Sequence, residues 1–380
     1  CRNPVTPEPV LELRDWSVER RTGAGNRTIL SRLDLDLVPG RWTAVLGANG
    51  SGKSSLLKYL ASEESPLEVP AAIMFQDPDE QLFAASVARE LTLGGRDLDP
   101  VPLLEEFGLA GTAERDPRLL SAGQKQRLVL ALASSLEPDV LLCDEPTALQ
   151  DPVQAAWVLA RLDRWRQRTE GVLVTATCDR AEASLADWLV VLRSGVIVRQ
   201  GPAAEILPSS EARDLLGDGK ARYAPPRPSN GTAAEGPAVL RMSGVGFDFP
   251  GPGPDLNGLD LVLGPGERLG VTGSNGCGKS TLLAACAGAR PPCRGRIELG
   301  GAPLYDKKGP HLDHGRALLA PQFPEYLFTR STVAEEIVLD PVLRDLSPEG
   351  FLDRWGLPAD LARSNPHDLS CGQRRRLALG

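Results

Sequence analysis

Gly47-Ala48-Asn49-Gly50-Ser51-Gly52-Lys53-Ser54 sets glycines, a lysine and a hydroxyl in the order G-x-x-x-x-G-K-[ST]. Gly273-Ser274-Asn275-Gly276-Cys277-Gly278-Lys279-Ser280 repeats that order in the second half of the chain. Glycines let a backbone curl until successive N–H groups face one point, and a following helix adds the partial positive charge of its N-terminus. Such a loop grips a polyphosphate. Lys53 and Lys279 would then lie on the terminal phosphates, and Ser54 and Ser280 would ligate Mg²⁺, with Ser55 and Thr281 next in line. A lone match could be an ordinary glycine turn. Two matches in one chain, each between an apolar run (Trp42 to Leu46, Leu269 to Thr272) and a leucine-bearing helix, make that reading remote.

Further polar groups stand at fixed distances from these loops. Val140-Leu141-Leu142-Cys143-Asp144-Glu145-Pro146 reads as an apolar strand ending in two acids. Asp144 could hold the metal beside the first loop, and Glu145 could polarise an attacking water. Two acids after a strand are more often a solvated turn, but these follow Leu120-Ser121-Ala122-Gly123-Gln124 by about twenty residues. That segment has a counterpart in Leu369-Ser370-Cys371-Gly372-Gln373. Gln76 and Gln322 lie in two similar polar segments, Phe75 to Phe83 and Pro321 to Phe328.

The elements that must position these residues repeat as well. Lys53 and Lys279 stand 226 positions apart, Gln76 and Gln322 246, and Ser121 and Ser370 249. The halves are therefore duplicated α/β units, and the main slip lies between loop and glutamine, where the first half lacks about one hairpin. Strands are expected at Val140 to Cys143, Val172 to Thr175 and Leu189 to Leu192. The expected division is a first domain over 9–207, a Pro/Gly/Ser-rich linker over 208–237 and a second domain over 238–380. A start at Cys1 and a stop at Gly380, inside an apparent helix, read as a chain cut at both ends.

Bulk properties narrow the function classes. The 380 residues carry a formal net charge of −8, which argues against nucleic acid as a partner. No apolar run approaches the ~18 residues of a membrane span, and residues 1–7 do not form a secretory signal. Seven cysteines without a C-x-x-C pair fit a reduced interior better than a disulfide framework.

Together the motifs resemble the ATP-binding cassette superfamily over nearly the whole chain. The segments around Ser121 and Ser370 match its Leu-Ser-x-Gly-Gln signature, Asp144-Glu145 its Walker B acids, and Ala148-Leu149-Gln150-Asp151 its D-loop. The resemblance implies two tandem P-loop ATPase domains, each with a RecA-like core, an antiparallel β subdomain and a helical signature subdomain, the second ending after its signature. It implies ATP and Mg²⁺ as cofactors and intramolecular, head-to-tail pairing of the cassettes. Ser370, Gly372 and Gln373 would face the ATP held by Lys53, and Ser121, Gly123 and Gln124 the ATP held by Lys279. Gln76 and Gln322 would contact Mg²⁺ and water, and Phe249 would stack on adenine in the second unit.

The glutamine segments look like those of energy-coupling factor ATPases, the engines of vitamin and transition-metal-ion importers. This implies a peripheral protein on the cytoplasmic face of the cell membrane. It would work with an energy-coupling transmembrane protein and a substrate-binding component. Soluble ATPases of the translation-factor type, acting on ribosomes, and a nucleotide-binding regulator with little turnover stay open as alternatives. One departure stands out. The family's Thr-His-Asp switch is here Thr177-Cys178-Asp179, and a thiol is a weak substitute for imidazole. The site built on Lys53 is therefore expected to hydrolyse slowly or to act as an ATP clamp.

Overall fold

A computed structural model of the chain describes residues 8–22, 25–48, 50–93, 97–148, 150–216, 237–248, 256–274, 276–306, 309–310, 317–321, 324–339, 346–369 and 371–379. Asn49, Phe249, Asn275, Gln322 and Ser370, and Leu149 of the D-loop segment, lie outside the described residues. Two compact units divide the chain, residues 1–224 and 225–380.

Unit 1 begins with an antiparallel pair, β1 (Leu11–Thr22) and β2 (Gly25–Leu37). Then come β3 (Trp42–Leu46), α1 (Lys53–Leu60), β4 (Ala71–Met74), α2 (Val87–Leu91), α3 (Pro100–Glu106), α4 (Ala122–Ser135) and β5 (Val140–Asp144). It continues with α5 (Pro152–Thr169), β6 (Val172–Thr177), α6 (Arg180–Ala183), β7 (Trp188–Arg193), β8 (Val196–Pro202), α7 (Ala203–Ile206) and α8 (Ser210–Leu216). The last helix falls inside the stretch expected as linker. Ala212 is fully buried in the core of unit 1, so ordered packing runs past residue 207.

Six strands form the central sheet in the order β4-β5-β6-β3-β7-β8, parallel except for the β7–β8 pair. Its inner strands are apolar on both faces, as a parallel sheet covered on both sides requires. Trp42, Ala44, Leu46, Leu141, Cys143, Leu173, Leu189 and Val191 join one core with helices α4 and α5. Their neighbours Val45, Val140, Leu142, Val172, Val174, Val190 and Leu192 point the other way, into a core with α1 and the β1–β2 hairpin. Side chains alternate faces with the two-residue period of a strand.

Unit 2 contains β9 (Leu240–Phe247), β10 (Leu256–Leu263), α9 (Lys279–Cys286), β11 (Arg294–Leu299), β12 (Ala302–Pro303), β13 (Tyr305–Asp306) and β14 (Gly309–Pro310). Helices α10 (Val333–Val338), α11 (Pro348–Arg354) and α12 (Cys371–Leu379) follow. Its antiparallel sheet has four strands in the order β10-β9-β11-β12, where unit 1 has a separate sheet of two, β1 and β2. Strands β11 to β14 occupy the stretch where the first half is shorter.

One expected strand is absent. Residues 267–274 form no regular element, and Leu269 is 49% exposed where its counterpart β3 is wholly buried. In unit 1 the partners of β3 are β6 and β7, which follow the signature helix in chain order. Among the described residues of unit 2 no strand pairs with this run. An apolar run without hydrogen-bonding neighbours gains nothing from extended pairing, whatever its propensity.

Candidate functional site

Strand register alone gathers the polar residues of unit 1. Leu46 pairs with Thr177, so Gly47 and Cys178 emerge side by side. Asp144 pairs with Ala176, and Glu145 N–H donates to the Ala176 carbonyl at 2.9 Å. Met74 pairs with Cys143, which brings Gln76 level with Glu145. All these groups lie at the carboxyl ends of parallel strands, where α/β sheets bind their ligands.

The loop after β3 has the backbone its glycines permit. Gly50 and Gly52 take φ of 79° and 105°, and Gly52 caps α1 in the left-handed conformation. A Cβ on Gly52 would lie 2.8 Å from Leu30 Cδ2, and one on Gly47 would lie 2.7 Å from the Leu192 carbonyl. Lys53 is buried, and its Nζ donates to the carbonyls of Gly47 (2.7 Å) and Ala48 (3.3 Å). Unit 2 repeats this geometry. Gly276 and Gly278 have φ of 82° and 96°, and Lys279 Nζ donates to Gly273 O (2.8 Å) and Ser274 O (2.7 Å). A Cβ on Gly278 would meet Leu256 at 2.5 Å, and Leu256 stands the same 226 positions after Leu30 as Lys279 after Lys53. Loop shape survives without its flanking strand, because it is written in local sequence.

Beside the first loop, Asp144 is buried and hydrogen-bonds the Ser54 hydroxyl. Burial pushes its carboxyl pKa up, with Ser54 opposing. Its Oδ1 has no partner. A buried carboxylate oxygen left open beside a hydroxyl and a lysine fits a divalent cation bound to a polyphosphate. Glu145 takes φ 48°, in the left-handed region that non-glycine residues enter rarely. Two side chains hold it. Gln76 Nε2 donates to Glu145 Oε2 at 2.9 Å, and Cys178 Sγ lies 3.5 Å from Glu145 Oε1 and 3.5 Å from the Gly47 carbonyl. Cys178 is exposed at its outer side, and partial desolvation, with Lys53 opposing and Glu145 adding, pushes its thiol above the ordinary pKa.

Helix α4 opens with a capping box: Gln124 N–H donates to Ser121 Oγ (3.3 Å), and Ser121 N–H donates to Gln124 Oε1 (3.0 Å). Ser121 is exposed, so the positive end of this 14-residue helix faces outward. Gln126 Nε2 donates to Pro146 O at 3.1 Å, which ties the helix to the turn after Glu145. Lys125 pairs with Asp79 at 2.6 Å, tying it to the glutamine segment. In unit 2, Gly372 and Gln373 lie at the start of α12.

Three contributions had no motif to announce them. Glu90 Oε2 accepts from the N–H groups of Phe83 (3.0 Å) and Ala84 (2.7 Å), and Glu336 Oε2 likewise from Thr329 (2.8 Å) and Arg330 (2.7 Å). These acids stand at the same offset as the glutamines, 246 positions, which was the available signal. The Lys125–Asp79 pair spans 46 positions and gave none. Glu182, buried beside Thr147, showed only as an acid in the segment Ala181 to Ala186.

A parallel sheet with a glycine-lined loop, a strand-end acid pair and a converging glutamine defines a P-loop ATPase fold. The chain belongs to the ABC transporter family, whose profile matches residues 30–148 and 256–380, more than half of the chain, as two tandem segments. A putative ABC transporter ATP-binding protein of Bifidobacterium longum is 27% identical over 93% of this chain, which spans 55% of that protein's length. The energy-coupling factor transporter ATP-binding protein EcfA1 of Leuconostoc mesenteroides is 33% identical, over 49% of this chain and 79% of its own. The nickel import ATP-binding protein NikO of Rhodobacter capsulatus is 38% identical, over 47% of this chain and 85% of its own. Among solved structures, cbiO1 from Clostridium perfringens, part of the ABC transporter complex cbiONQ, aligns with a TM-score of 0.46 and 26% identity, over 55% of this chain and 94% of that one. Among the described residues no helix is long and apolar enough to cross a membrane.

Proposed function

We propose that this chain binds and hydrolyses ATP to energise import of a micronutrient, a vitamin or a transition-metal ion, through separate membrane subunits. The observation that carries the reading is the convergence of Gln76 and Cys178 on Glu145, one residue beyond the buried and incompletely paired Asp144. The import role rests on similarity to proteins described as energy-coupling factor and nickel import ATP-binding proteins.

In this reading the N–H groups of residues 50–54 and the Lys53 ammonium hold the polyphosphate. Lys53 exchanges its loop carbonyls for phosphate oxygens. Ser54 and Asp144 hold Mg²⁺, which when bound neutralises charge on the phosphate oxygens. Glu145 takes a proton from the attacking water, and Gln76 keeps the carboxylate aimed. Cys178 sits where an imidazole would donate to the phosphate. Its weak S–H donor leaves that stabilisation largely absent and makes the Lys53 site a slow one. Lys279 and Ser280 hold the second nucleotide in the same way. The capped end of α4 offers its exposed N-terminus to a triphosphate held by another P-loop.

Phosphate release by the purified chain, and its co-isolation with integral membrane subunits from a detergent extract, test the two halves of the proposal. Turnover with no membrane partner leaves the ATPase and removes the importer. Neither property removes both.

A further inference from the structure

Behind the acid pair lies a second carboxylate that the mechanism above does not use. Glu182 on α6 is 1% exposed. Thr147 Oγ–H donates to its Oε2 at 2.7 Å. The hydroxyls of Thr175 and Thr177 on β6 also face the carboxylate and favour its charged form, although Oε1 has no partner in full hydrogen-bond geometry. Each threonine on β6 is held from behind. Trp42 Nε1–H donates to Thr175 Oγ at 3.1 Å, and Asp179 N–H donates to Thr177 Oγ at 3.0 Å. Accepting those bonds leaves each hydroxyl its own proton to turn toward Glu182.

These three threonines belong to the two segments that matter for hydrolysis. Thr147 is two residues beyond Glu145, and Thr177 immediately precedes Cys178. Glu182 is itself fixed from the switch side, because Asp179 caps α6 and accepts from Ala181 N–H (2.6 Å) and Glu182 N–H (3.0 Å). We propose that Glu182 is a positioning residue for ATP hydrolysis, joining the turn that carries Glu145 to the strand end that carries Cys178 so that the two move as one. The inference rests on the ATPase reading above and deepens it. A carboxylate suits the task because it accepts from several hydroxyls at once, whereas a glutamine at this place offers one acceptor oxygen and two protons that the threonines must turn to meet.

The experiment uses the full chain with Glu182→Gln, Thr147→Val and Thr147→Ser, and two readouts. The first is single-turnover ATP cleavage measured alongside ATP affinity. The second is the alkylation rate of Cys178 by iodoacetamide, read on its own peptide by mass spectrometry, which needs no turnover. For Glu182→Gln and Thr147→Val the cleavage rate should fall between about tenfold and a hundredfold, as a misplaced catalytic group costs. ATP affinity should hold within about twofold, and the Cys178 rate should change at least about threefold, on the scale of one lost hydrogen bond. Thr147→Ser keeps the hydroxyl and should behave as the unmutated chain in both readouts. The double variant should be no worse than either single one, because both break one connection. Unchanged cleavage and unchanged labelling in Thr147→Val overturn the proposal, as does full additivity in the double variant. Should Glu182→Gln fail to fold, the two Thr147 variants decide alone. A chain without any ATP cleavage removes the ATPase reading, and the labelling rate then judges Glu182 separately.

Discussion

Replacing Cys178 with histidine should make the Lys53 site a faster ATPase. The thiol is 3.5 Å from Glu145 Oε1, and partial desolvation raises its pKa, so it contributes a weak S–H donor and no charge. An imidazole on the same Cα reaches farther and gives a full N–H donor toward the same carboxylate and the phosphate held by the loop. Hydrogen bonds to charged groups contribute about 1.5–3 kcal/mol. If that gain is realised mainly in the transition state, at ~1.4 kcal/mol per decade, kcat rises roughly tenfold to a hundredfold with little change in KM. Phosphate release at saturating ATP measures it. The pH profile gives a second mark. Cys178 adds no inflection between about pH 6 and 8, because it titrates above its ordinary value, so an inflection of the unmutated chain near pH 7 belongs to Glu182, while the histidine variant should gain a further one near pH 6.5. Unchanged kcat in a variant that still binds ATP would refute the claim that position 178 is the switch.

Other consequences follow from the same geometry. Gly52→Ala adds a Cβ at φ 105° and 2.8 Å from Leu30, so it should destabilise unit 1 by about 1–3 kcal/mol and abolish ATP binding there, read by melting and by nucleotide titration. Glu182 has its carboxyl pushed up to about 7, chiefly by burial and with Asp179 adding repulsion, against 4.5 ordinarily; it also acts on the Cys143 thiol. Between those values the unfolded chain gives up the proton and the native one keeps it, so stability falls as pH rises from about 4.5 to 7 and stays low above. Glu182→Gln removes that loss, and its melting temperature relative to the unmutated chain should improve from pH 5 to pH 8, by the equivalent of about 2.5 kcal/mol. Glu90→Gln weakens the charge-assisted bonds from Phe83 and Ala84, and protease nicking at the exposed Phe83 should speed up severalfold with little effect on ATP affinity.

What could be read from sequence was what is local. The loop motifs announced the tight glycine loops of both units, because their shape depends on residues within one or two turns. Strands β5, β6 and β7 were legible as apolar runs bounded by turn residues. Contacts made at a distance were not. The Lys125–Asp79 pair and the threonine set around Glu182 arise only when the sheet register and helix packing bring them together. The failed strand at 269–272 teaches the same physics from the other side, since its apolar pattern matches that of β3 and only the neighbours differ. The Leu46–Thr177 register that sets Cys178 beside Gly47 is a nonlocal fact of the same kind.

The central claim is that two loops of this chain each hold a triphosphate. Equilibrium binding of Mg²⁺-ATP to the Glu145→Gln chain, with cleavage suppressed, counts them directly. About two ATP per chain are expected, falling to about one when either Lys53 or Lys279 is replaced by alanine and to none when both are. Binding that survives the loss of both lysines unchanged would contradict the account.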